Sequence, residues 1–192
     1  MGNVSERRKQ PPQVGVSVVI LALGPVPQSD VGAGAASSGM GSTLWMPLVK
    51  RVRQPFLGQW ALPGGGLRAD HSLEQSAYAA LESTTSLHPK YLEQLYTFGD
   101  PARSHGGLPM VSIVYWALVG EADGRIDFAG GDNVKWFPVN HLPELAFDHR
   151  TIVEYAMNRL RGKIESPDIA TRLVGELSLI HISEPTRPLY IS

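Results

Sequence analysis

A run of glycines between a strand pattern and a helix pattern constrains the fold of this chain more than any other feature. Residues 60–63 alternate as in a strand, and Gly64, Gly65 and Gly66 follow directly. Three adjacent glycines are typical of a tight turn with positive φ or of a close backbone approach. Residues 55–87 therefore predict a strand, a glycine-rich turn and then a helix.

The helix predicted after the glycines has a clear start and one apolar face. Ser72 is a good N-cap residue, and Gln75 follows it at the spacing of a capping box. Residues that can pack on a core recur every four positions: Leu73, Ala77, Leu81, Thr85. The pattern predicts an amphipathic helix whose N-terminus lies next to the glycines.

The rest of the chain alternates strand patterns with loops and ends on a second helix pattern. Further strands are predicted at residues 14–23, 44–52, 110–119 and 134–139, and residues 91–98 are predicted to be another strand or a short helix that leads into one. Pro47 predicts an interruption in the second of these, at a sheet edge or a bulge. A helix with Asp148 as its N-cap is predicted from the spacing of Ile152, Ala156, Leu160, Ile164. Strands mixed with helices predict an α+β fold.

The composition is that of a globular protein and excludes several other classes. The chain has 192 residues, of which 43% are hydrophobic, and a net charge of −1. This balance favours a buried core and gives no reason to expect nucleic acid or a membrane as a direct partner. The sequence has no cysteine for a disulfide or a thiolate metal site. It shows no membrane span and no signal peptide, which predicts a cytoplasmic protein.

The segment around the glycines resembles the Nudix box, whose pattern is G-x5-E-x7-R-E-U-x-E-E-x-G-U, with U a bulky apolar residue. The match lies in WALPGG at residues 60–65 and SLEQSA at residues 72–77. The resemblance implies an α/β/α sandwich with a mixed β-sheet. It also implies phosphoanhydride chemistry that depends on Mg²⁺ or Mn²⁺ held by carboxylates of the box helix.

The positions that supply the family's charged groups carry other residues in this chain. Aligned on Gly65, they are occupied in order by His71, Ala79, Ala80, Ser83, Thr84. Alanine and hydroxyl side chains are poor substitutes for carboxylates as ligands of a hard cation. The histidines lack metal-binding spacing, and His149 is expected to be structural. We therefore predict no catalytic residues, no metal ligands and no cofactor.

Three further segments resemble one branch of the family, the Nudix-related regulators of NAD metabolism of the NrtR type. They are PFLGQWALPGG at residues 55–65, TFGDP at residues 97–101 and LAFDH at residues 145–149. The resemblance implies binding of ADP-ribose or a related NAD-derived nucleotide. It also implies a homodimer and a winged helix that binds DNA, attached through the helix that follows LAFDH.

The same resemblance implies a division of the chain into four parts. Residues 1–12 are expected to be disordered, and residues 13–145 to form the Nudix-like domain. Residues 146–176 would be a linker helix and the start of a truncated winged-helix domain. Residues 177–192 look like the translation of a sequencing-library adapter, so they are expected to be non-native. DNA binding would then require the missing part of the winged helix.

Candidate ligand contacts follow from the resemblance and from the chemistry of nucleotides. They are Arg51, Phe56, Trp60, Gly64, Gly65, Gly66 and Arg103. The arginines could bind phosphate oxygens bidentately, and the aromatic residues could stack on adenine. The glycines could bring backbone N–H groups to phosphate at a helix N-terminus. Each has a structural alternative: a surface charge for the arginines, the core for the tryptophan and a turn for the glycines.

Three functions remain open from the sequence. The first is a catalytically silent Nudix sensor domain that binds ADP-ribose and controls an attached DNA-binding domain. The second is a divergent Nudix hydrolase, an ADP-ribose or nucleoside diphosphate pyrophosphatase. It would use Mg²⁺ or Mn²⁺ and loop carboxylates such as Asp70 or Asp100. The third is a Nudix-like module used for dimerisation.

Overall fold

The structure is a computed structural model in which seven strands and two helices are formed by the residues it describes. Those residues are 11–27, 42–89, 92–104, 108–120 and 125–164. The predictions for residues 1–10, 28–41 and 165–192, including the adapter-like segment, lie outside the described residues.

The described elements follow the predicted order. They are β1 (Gln13–Pro25), β2 (Ser42–Lys50), β3 (Trp60–Ala61), β4 (Gly64–Gly66), α1 (Leu73–Thr85), β5 (Glu93–Phe98), β6 (Met110–Val119), β7 (Val134–Pro138) and α2 (His149–Ile164). Short 3-10 turns are present at Pro101–Ser104 and Val139–His141. The predicted strands and both predicted helices are confirmed, with ends that shift by a few residues.

The described strands form one mixed sheet in the order β3-β2-β1-β6-β5. β1 and β6 run parallel, from the pair Gln13 and Met110 to the pair Ala22 and Val119. β2 is antiparallel to β1, and β5 is antiparallel to β6. β4 pairs with β1, and β7 pairs with β2. This mixed sheet with few helices confirms the predicted α+β fold.

β1 and β2 separate part-way along their length. Trp45 of β2 lies opposite Ala22 of β1, whereas Val49 and Lys50 pair with β3. The N-terminal part of β1 pairs instead with β4. Pro47 lies between the part of β2 that pairs with β1 and the part that pairs with β3. Neither β1 nor β3 pairs with residue 47, so the missing N–H group of proline interrupts neither of these two ladders. β3 and β4 therefore fill the space between the two long strands.

The prediction of a turn at the three glycines is wrong. Gly64–Gly66 form β4, in antiparallel register with Gly15, Val16 and Ser17 of β1. The positive φ angles among the described glycines lie elsewhere in the chain. Glycine is required at Gly64 by close approach, because a Cβ there would overlap the carbonyl oxygen of Val16 and lie 2.9 Å from the Cα of Ser17. The missing side chain lets β4 lie directly against β1.

Gly64→Ala should lower the free energy of unfolding by about 2–3 kcal/mol, since the new methyl group has no room against the backbone of β1. Gly65→Ala is the matched control, because no atom lies within 4 Å of a Cβ built there. Denaturant unfolding of the two variants measures the difference. Equal stabilities would contradict the close approach of β4 and β1.

α1 begins at the predicted capping box. The Ser72 hydroxyl accepts a hydrogen bond from the N–H of Gln75 at 3.1 Å, and the Gln75 side chain accepts one from the N–H of Ser72 at 2.8 Å. Ala77 and Leu81 of the helix are buried in a hydrophobic core. The strand residues of that core include Val16, Val18, Ile20, Ile113, Tyr115 and Ala117. α1 therefore covers one face of the sheet.

α2 crosses the boundary between two compact units, Met1–Ala156 and Met157–Ser192. Within the first unit, the ring of Tyr155 lies 4.9 Å from the ring of Tyr96 and 5.8 Å from that of Phe98, both on β5. The described part of the second unit is the C-terminal end of α2. Neither described helix combines the length and the apolar character needed to cross a membrane.

Candidate functional site

A cleft of about 940 Å³ lies on the face of the sheet opposite α1. Its floor is formed by Gly15 and Ser17 of β1 and by Ser112 of β6. These residues alternate along their strands with core residues such as Val16, so they point away from α1. One wall is formed by the end of β2 and the loop after it, residues 49–55, and β4 lies beside the floor.

The charged residues among the described residues that line the cleft are all basic. They are Lys50, Arg51, Arg53 and Arg103. Three of them lie at the end of β2 and in the following loop, so the positive charge is concentrated on one wall. A cleft lined by charges of one sign attracts ligands of the opposite sign, and guanidinium groups match phosphate oxygens in geometry. The arrangement suits an anionic ligand.

Arg51 holds this wall in place and faces the cleft. Its Nε donates to the carbonyl oxygen of Pro55 at 2.9 Å, and its Nη2 donates to that of Arg53 at 3.4 Å. Its guanidinium carbon lies 4.6 Å from the centroid of the Phe147 ring. Burial lowers the pKa of Arg51 from its usual value, yet an arginine stays charged at neutral pH. No described residue accepts from its Nη1, which leaves donors for a ligand.

Arg103 also lines the cleft, but its guanidinium is held in a part-buried ion pair with Asp148. Its Nε and Nη2 donate to the two carboxylate oxygens of Asp148 at 2.8 and 2.9 Å, and its Nη1 donates to the carbonyl oxygen of Phe98 at 2.7 Å. The Arg103 side chain is only 4% exposed. Asp148 lies at the predicted N-cap position, directly before α2, and its carbonyl oxygen accepts from the N–H of Ile152 at 3.2 Å, while its carboxylate binds Arg103.

His149 lies in the cleft wall as a neutral hydrogen-bond acceptor. Its Nδ1 accepts from the N–H of Leu62 at 3.0 Å, which places the ring proton on Nε2. Burial lowers the pKa of His149 to about 4; Asp148 opposes this shift, and the positive charges of Arg103 and Arg51 add to it. The ring is therefore uncharged at neutral pH and joins the start of α2 to the strand region beside the glycines.

The domain should lose stability as the pH falls from 6.5 towards 4. A histidine in the unfolded chain takes up a proton near pH 6.5, whereas His149 in the folded domain does so only near pH 4. In this window the unfolded state binds more protons, so unfolding is favoured by acid. The contribution of His149 is about 3 kcal/mol above pH 6.5 and is lost by pH 4.

Denaturant unfolding at a series of pH values measures this loss. His149→Asn is the matched control, because the asparagine Oδ1 can accept from the N–H of Leu62 and does not titrate. The free energy of unfolding of this variant should not show the loss that His149 causes between pH 6.5 and pH 4. Identical pH profiles for the two proteins would contradict a neutral, buried His149.

The two candidate aromatic residues lie outside the cleft lining. Phe56 has a φ of 64° and packs edge-on against Phe147, with ring centroids 4.7 Å apart. Trp60 packs edge-on against Phe137, with centroids 5.1 Å apart, and pairs with Lys50 in the sheet. Phe147 itself lines the cleft. Its ring is already packed against neighbouring side chains.

The structure brings most of the candidate residues together in the cleft. They are Arg51, Gly64, Gly65, Gly66 and Arg103. Phe147 and His149 were not predicted to line it, although both belong to the LAFDH motif. Ser17 and Ser112 were not predicted either. A serine in a strand pattern gives no sign of whether its side of the sheet lines a cleft.

The side chains at the box positions of α1 are hydrogen-bonded to the helix itself. The hydroxyls of Ser83 and Thr84 both donate to the carbonyl oxygen of Ala80, at 3.1 and 2.7 Å. Within the described ranges, no three acidic or histidine side chains are placed to hold a metal ion. Mg²⁺ and Mn²⁺ prefer carboxylate oxygens, so the residues present at these positions do not fit the metal that the box pattern implies.

The loop carboxylates of the alternative hypothesis lie away from the described cleft lining. Asp70 forms an exposed ion pair with Arg68 at 3.0 Å. Asp100 accepts a hydrogen bond from the N–H of Ala102 at 2.8 Å, at the start of the 3-10 turn. Both carboxylates therefore have local structural roles in this conformation.

Comparison with known proteins relates the chain to enzymes and to regulators. A model of the NUDIX domain matches residues 32–156. The ADP-ribose pyrophosphatase of Methanocaldococcus jannaschii is 33% identical over 118 residues, which cover 60% of this chain and 67% of that protein. The ADPR responsive transcriptional repressor NtrR of Acinetobacter baylyi is 30% identical over 120 residues, which cover 60% of this chain and 48% of the repressor.

Solved structures of NrtR from Shewanella oneidensis share the fold. Its NUDIX domain complexed with ADP ribose is 33% identical, with a TM-score of 0.58 over 79% of this chain and 90% of that one. NrtR complexed with a 27mer DNA is 34% identical, with a TM-score of 0.61 over 78% of this chain and 63% of that one. The chain spans less than two thirds of the two regulator chains. Since the family model matches more than half of its residues, the chain belongs to the Nudix family.

Proposed function

We propose that this chain contains the ligand-sensing domain of a transcriptional regulator, which binds ADP-ribose or a closely related NAD-derived nucleotide without hydrolysing it. The observation that carries this proposal is the chemistry of the cleft. Every charged residue among its described lining is basic, and the box positions of α1 carry Ala80, Ser83 and Thr84. The site can therefore attract a diphosphate, but the box positions lack the carboxylate ligands for a catalytic cation.

The wall of the cleft provides the groups that a diphosphate needs. Arg51 is oriented by its bonds to the backbone of its own loop, so part of its guanidinium is already directed to the cleft. Such preorganisation lowers the entropy cost of binding. The Arg51 guanidinium also lies over the Phe147 ring, which fixes its position further.

The relatives support the regulatory part of the proposal. The NUDIX domain of the Shewanella protein was crystallised with ADP ribose, and the Acinetobacter relative is described as an ADPR responsive repressor. In this protein the ligand signal would pass through α2 to a winged-helix DNA-binding segment, and the regulator would act as a homodimer. Light scattering during size-exclusion chromatography tests the dimer, which should have twice the mass of the chain.

Isothermal titration calorimetry with ADP-ribose tests the proposal. We expect saturable binding in the presence of EDTA, because the cleft bonds the diphosphate with arginine side chains and not through a bridging cation. Adding Mn²⁺ should leave the affinity unchanged. Absence of binding would contradict the proposal and favour a structural dimerisation module, whereas binding only with Mn²⁺ would favour an enzyme.

A second candidate function is that of an ADP-ribose pyrophosphatase. It is favoured by the 33% identity to the Methanocaldococcus enzyme over 67% of that protein. This activity would need metal ligands from outside the box positions, because Ser83 and Thr84 donate their hydroxyl protons to the helix backbone. A hydrolase of this kind would release AMP from ADP-ribose once Mn²⁺ is added.

A further inference from the structure

One of the cations that line the cleft is already paired with a side chain of the protein. Arg103 donates from Nε and Nη2 to the carboxylate of Asp148 at 2.8 and 2.9 Å, and from Nη1 to the carbonyl oxygen of Phe98 at 2.7 Å. A carboxylate and a phosphate accept hydrogen bonds from a guanidinium in the same bidentate geometry. An anionic ligand in the cleft therefore competes with Asp148 for Arg103.

Asp148 also has a second possible set of donors, in the first turn of α2. It lies at the N-cap position, and its carbonyl oxygen accepts from the N–H of Ile152. The N–H groups of Arg150 and Thr151 have no acceptor among the described residues. An aspartate side chain at an N-cap normally accepts from these two groups, at the second and third positions of the helix. Its carboxylate is instead bound to Arg103, so the first turn of α2 has no side-chain cap.

The residue before Asp148 has an unfavourable backbone conformation. Phe147 has a φ of 55°, in the left-handed region that bulky residues rarely adopt. Its ring is held by the guanidinium of Arg51 and by the ring of Phe56. Strained backbone of this kind is concentrated in ligand clamps and switch regions, where it makes a second conformation accessible. The two cleft arginines thus contact consecutive residues, Phe147 and Asp148, at the start of α2.

We propose that the ion pair of Arg103 and Asp148 is a switch that the ligand operates. When the diphosphate binds, Arg103 donates to its oxygens, and the released carboxylate of Asp148 accepts from the N–H groups of Arg150 and Thr151. Asp148 is a positioning residue, because it acts on the ligand through Arg103. This inference rests on the proposed function, since the diphosphate of the same ligand displaces Asp148. The hydrogen bonds of the first turn of α2 then differ between the free and the occupied cleft.

Amide hydrogen exchange followed by NMR tests the switch on the wild-type chain. Saturating ADP-ribose should slow the exchange of the N–H groups of Arg150 and Thr151 about tenfold, because they gain an acceptor. Asp148→Ala is the matched variant, since alanine has no side-chain acceptor. It should bind ADP-ribose without slower exchange at these two groups. Unchanged exchange in the liganded wild type, or equal slowing in Asp148→Ala, would overturn the switch.

Calorimetry supplies a second measurement, because the switch makes Asp148 a competitor of the ligand. Asp148→Asn keeps the shape of the side chain and its capacity to cap a helix, but its neutral amide binds Arg103 less strongly. This variant should bind ADP-ribose about tenfold more tightly than the wild type, since Arg103 is available in a larger fraction of the molecules. Asp70→Asn removes the same charge from the exposed pair with Arg68 and should leave the affinity unchanged.

The outcomes separate the switch from the proposed function. Equal or weaker binding of ADP-ribose by Asp148→Asn would show that Asp148 does not compete for Arg103, and would overturn the switch while leaving the proposed function intact. The exchange measurement on the wild type decides the question even if a variant fails to fold. Failure of the wild-type chain to bind ADP-ribose would overturn both.

Discussion

Replacing Arg103 by methionine should lower the free energy of unfolding by about 3 kcal/mol. The Arg103 side chain is 4% exposed and donates to both carboxylate oxygens of Asp148 and to the carbonyl oxygen of Phe98. Methionine fills a similar volume but donates no hydrogen bonds. The variant would leave a carboxylate and a carbonyl oxygen without their partners, and breaking a buried pair on one side is costly.

The chain offers a matched control for this variant. Arg68 and Asp70 form a bidentate pair of similar length, at 3.0 and 3.1 Å, but their side chains are 65% and 64% exposed. Exposed pairs contribute little because water solvates both charges. Arg68→Met should therefore leave the stability unchanged within error. Equal losses in the free energy of unfolding for Arg103→Met and Arg68→Met would show that burial is not the reason why the Arg103 pair stabilises the fold.

The Arg103 variant should also change the pH dependence of stability. The charge of Arg103 helps to lower the pKa of His149, so its removal should bring that pKa closer to the ordinary value of 6.5. The difference between the folded and unfolded pKa values would then be smaller. Less stability should be lost between pH 6.5 and pH 4 than in the wild-type protein.

Arg51→Gln should weaken ADP-ribose binding about a hundredfold. A guanidinium that binds a phosphate contributes charge-assisted hydrogen bonds, which are stronger than neutral ones, and glutamine retains only a neutral donor. Calorimetry gives the affinity, and its dependence on salt gives a second measurement. Since one positive charge is lost, the binding of the variant should be less sensitive to salt than that of the wild type.

Two further variants separate the roles of charge and shape at this position. Arg51→Lys keeps the charge but loses the planar fork, so its affinity should lie between those of wild type and Arg51→Gln. Arg68→Gln removes a positive charge outside the cleft and should leave the affinity unchanged. Equal losses for Arg51→Gln and Arg68→Gln would show that net charge attracts the ligand and that Arg51 does not contact it.

Local patterns predicted the elements whose formation depends on neighbouring residues. The capping box of Ser72 and Gln75 is visible within four residues of sequence, and it starts α1 in the structure. The β-branched run of β1 predicts a buried strand for the same reason. The family resemblance then supplied the mixed sheet, which no local pattern shows.

Contacts between distant residues could not be predicted in the same way. Arg103 and Asp148 are 45 positions apart, and Leu62 and His149 are 87 positions apart. The glycines were predicted to turn because nothing in their own segment shows that β1 lies close enough to pair with them. The shape of the cleft depends on these contacts, so the sequence predicted several of its residues but not their partners.

Incubation with ADP-ribose and Mn²⁺ tests most directly whether this Nudix domain is a sensor. We expect calorimetry to detect binding and chromatography after the incubation to recover the ADP-ribose intact. The Methanocaldococcus ADP-ribose pyrophosphatase provides a positive control under the same conditions. Release of AMP and ribose 5-phosphate at an ordinary enzymatic rate, about one turnover per second or faster, would contradict the assignment of the domain as a sensor.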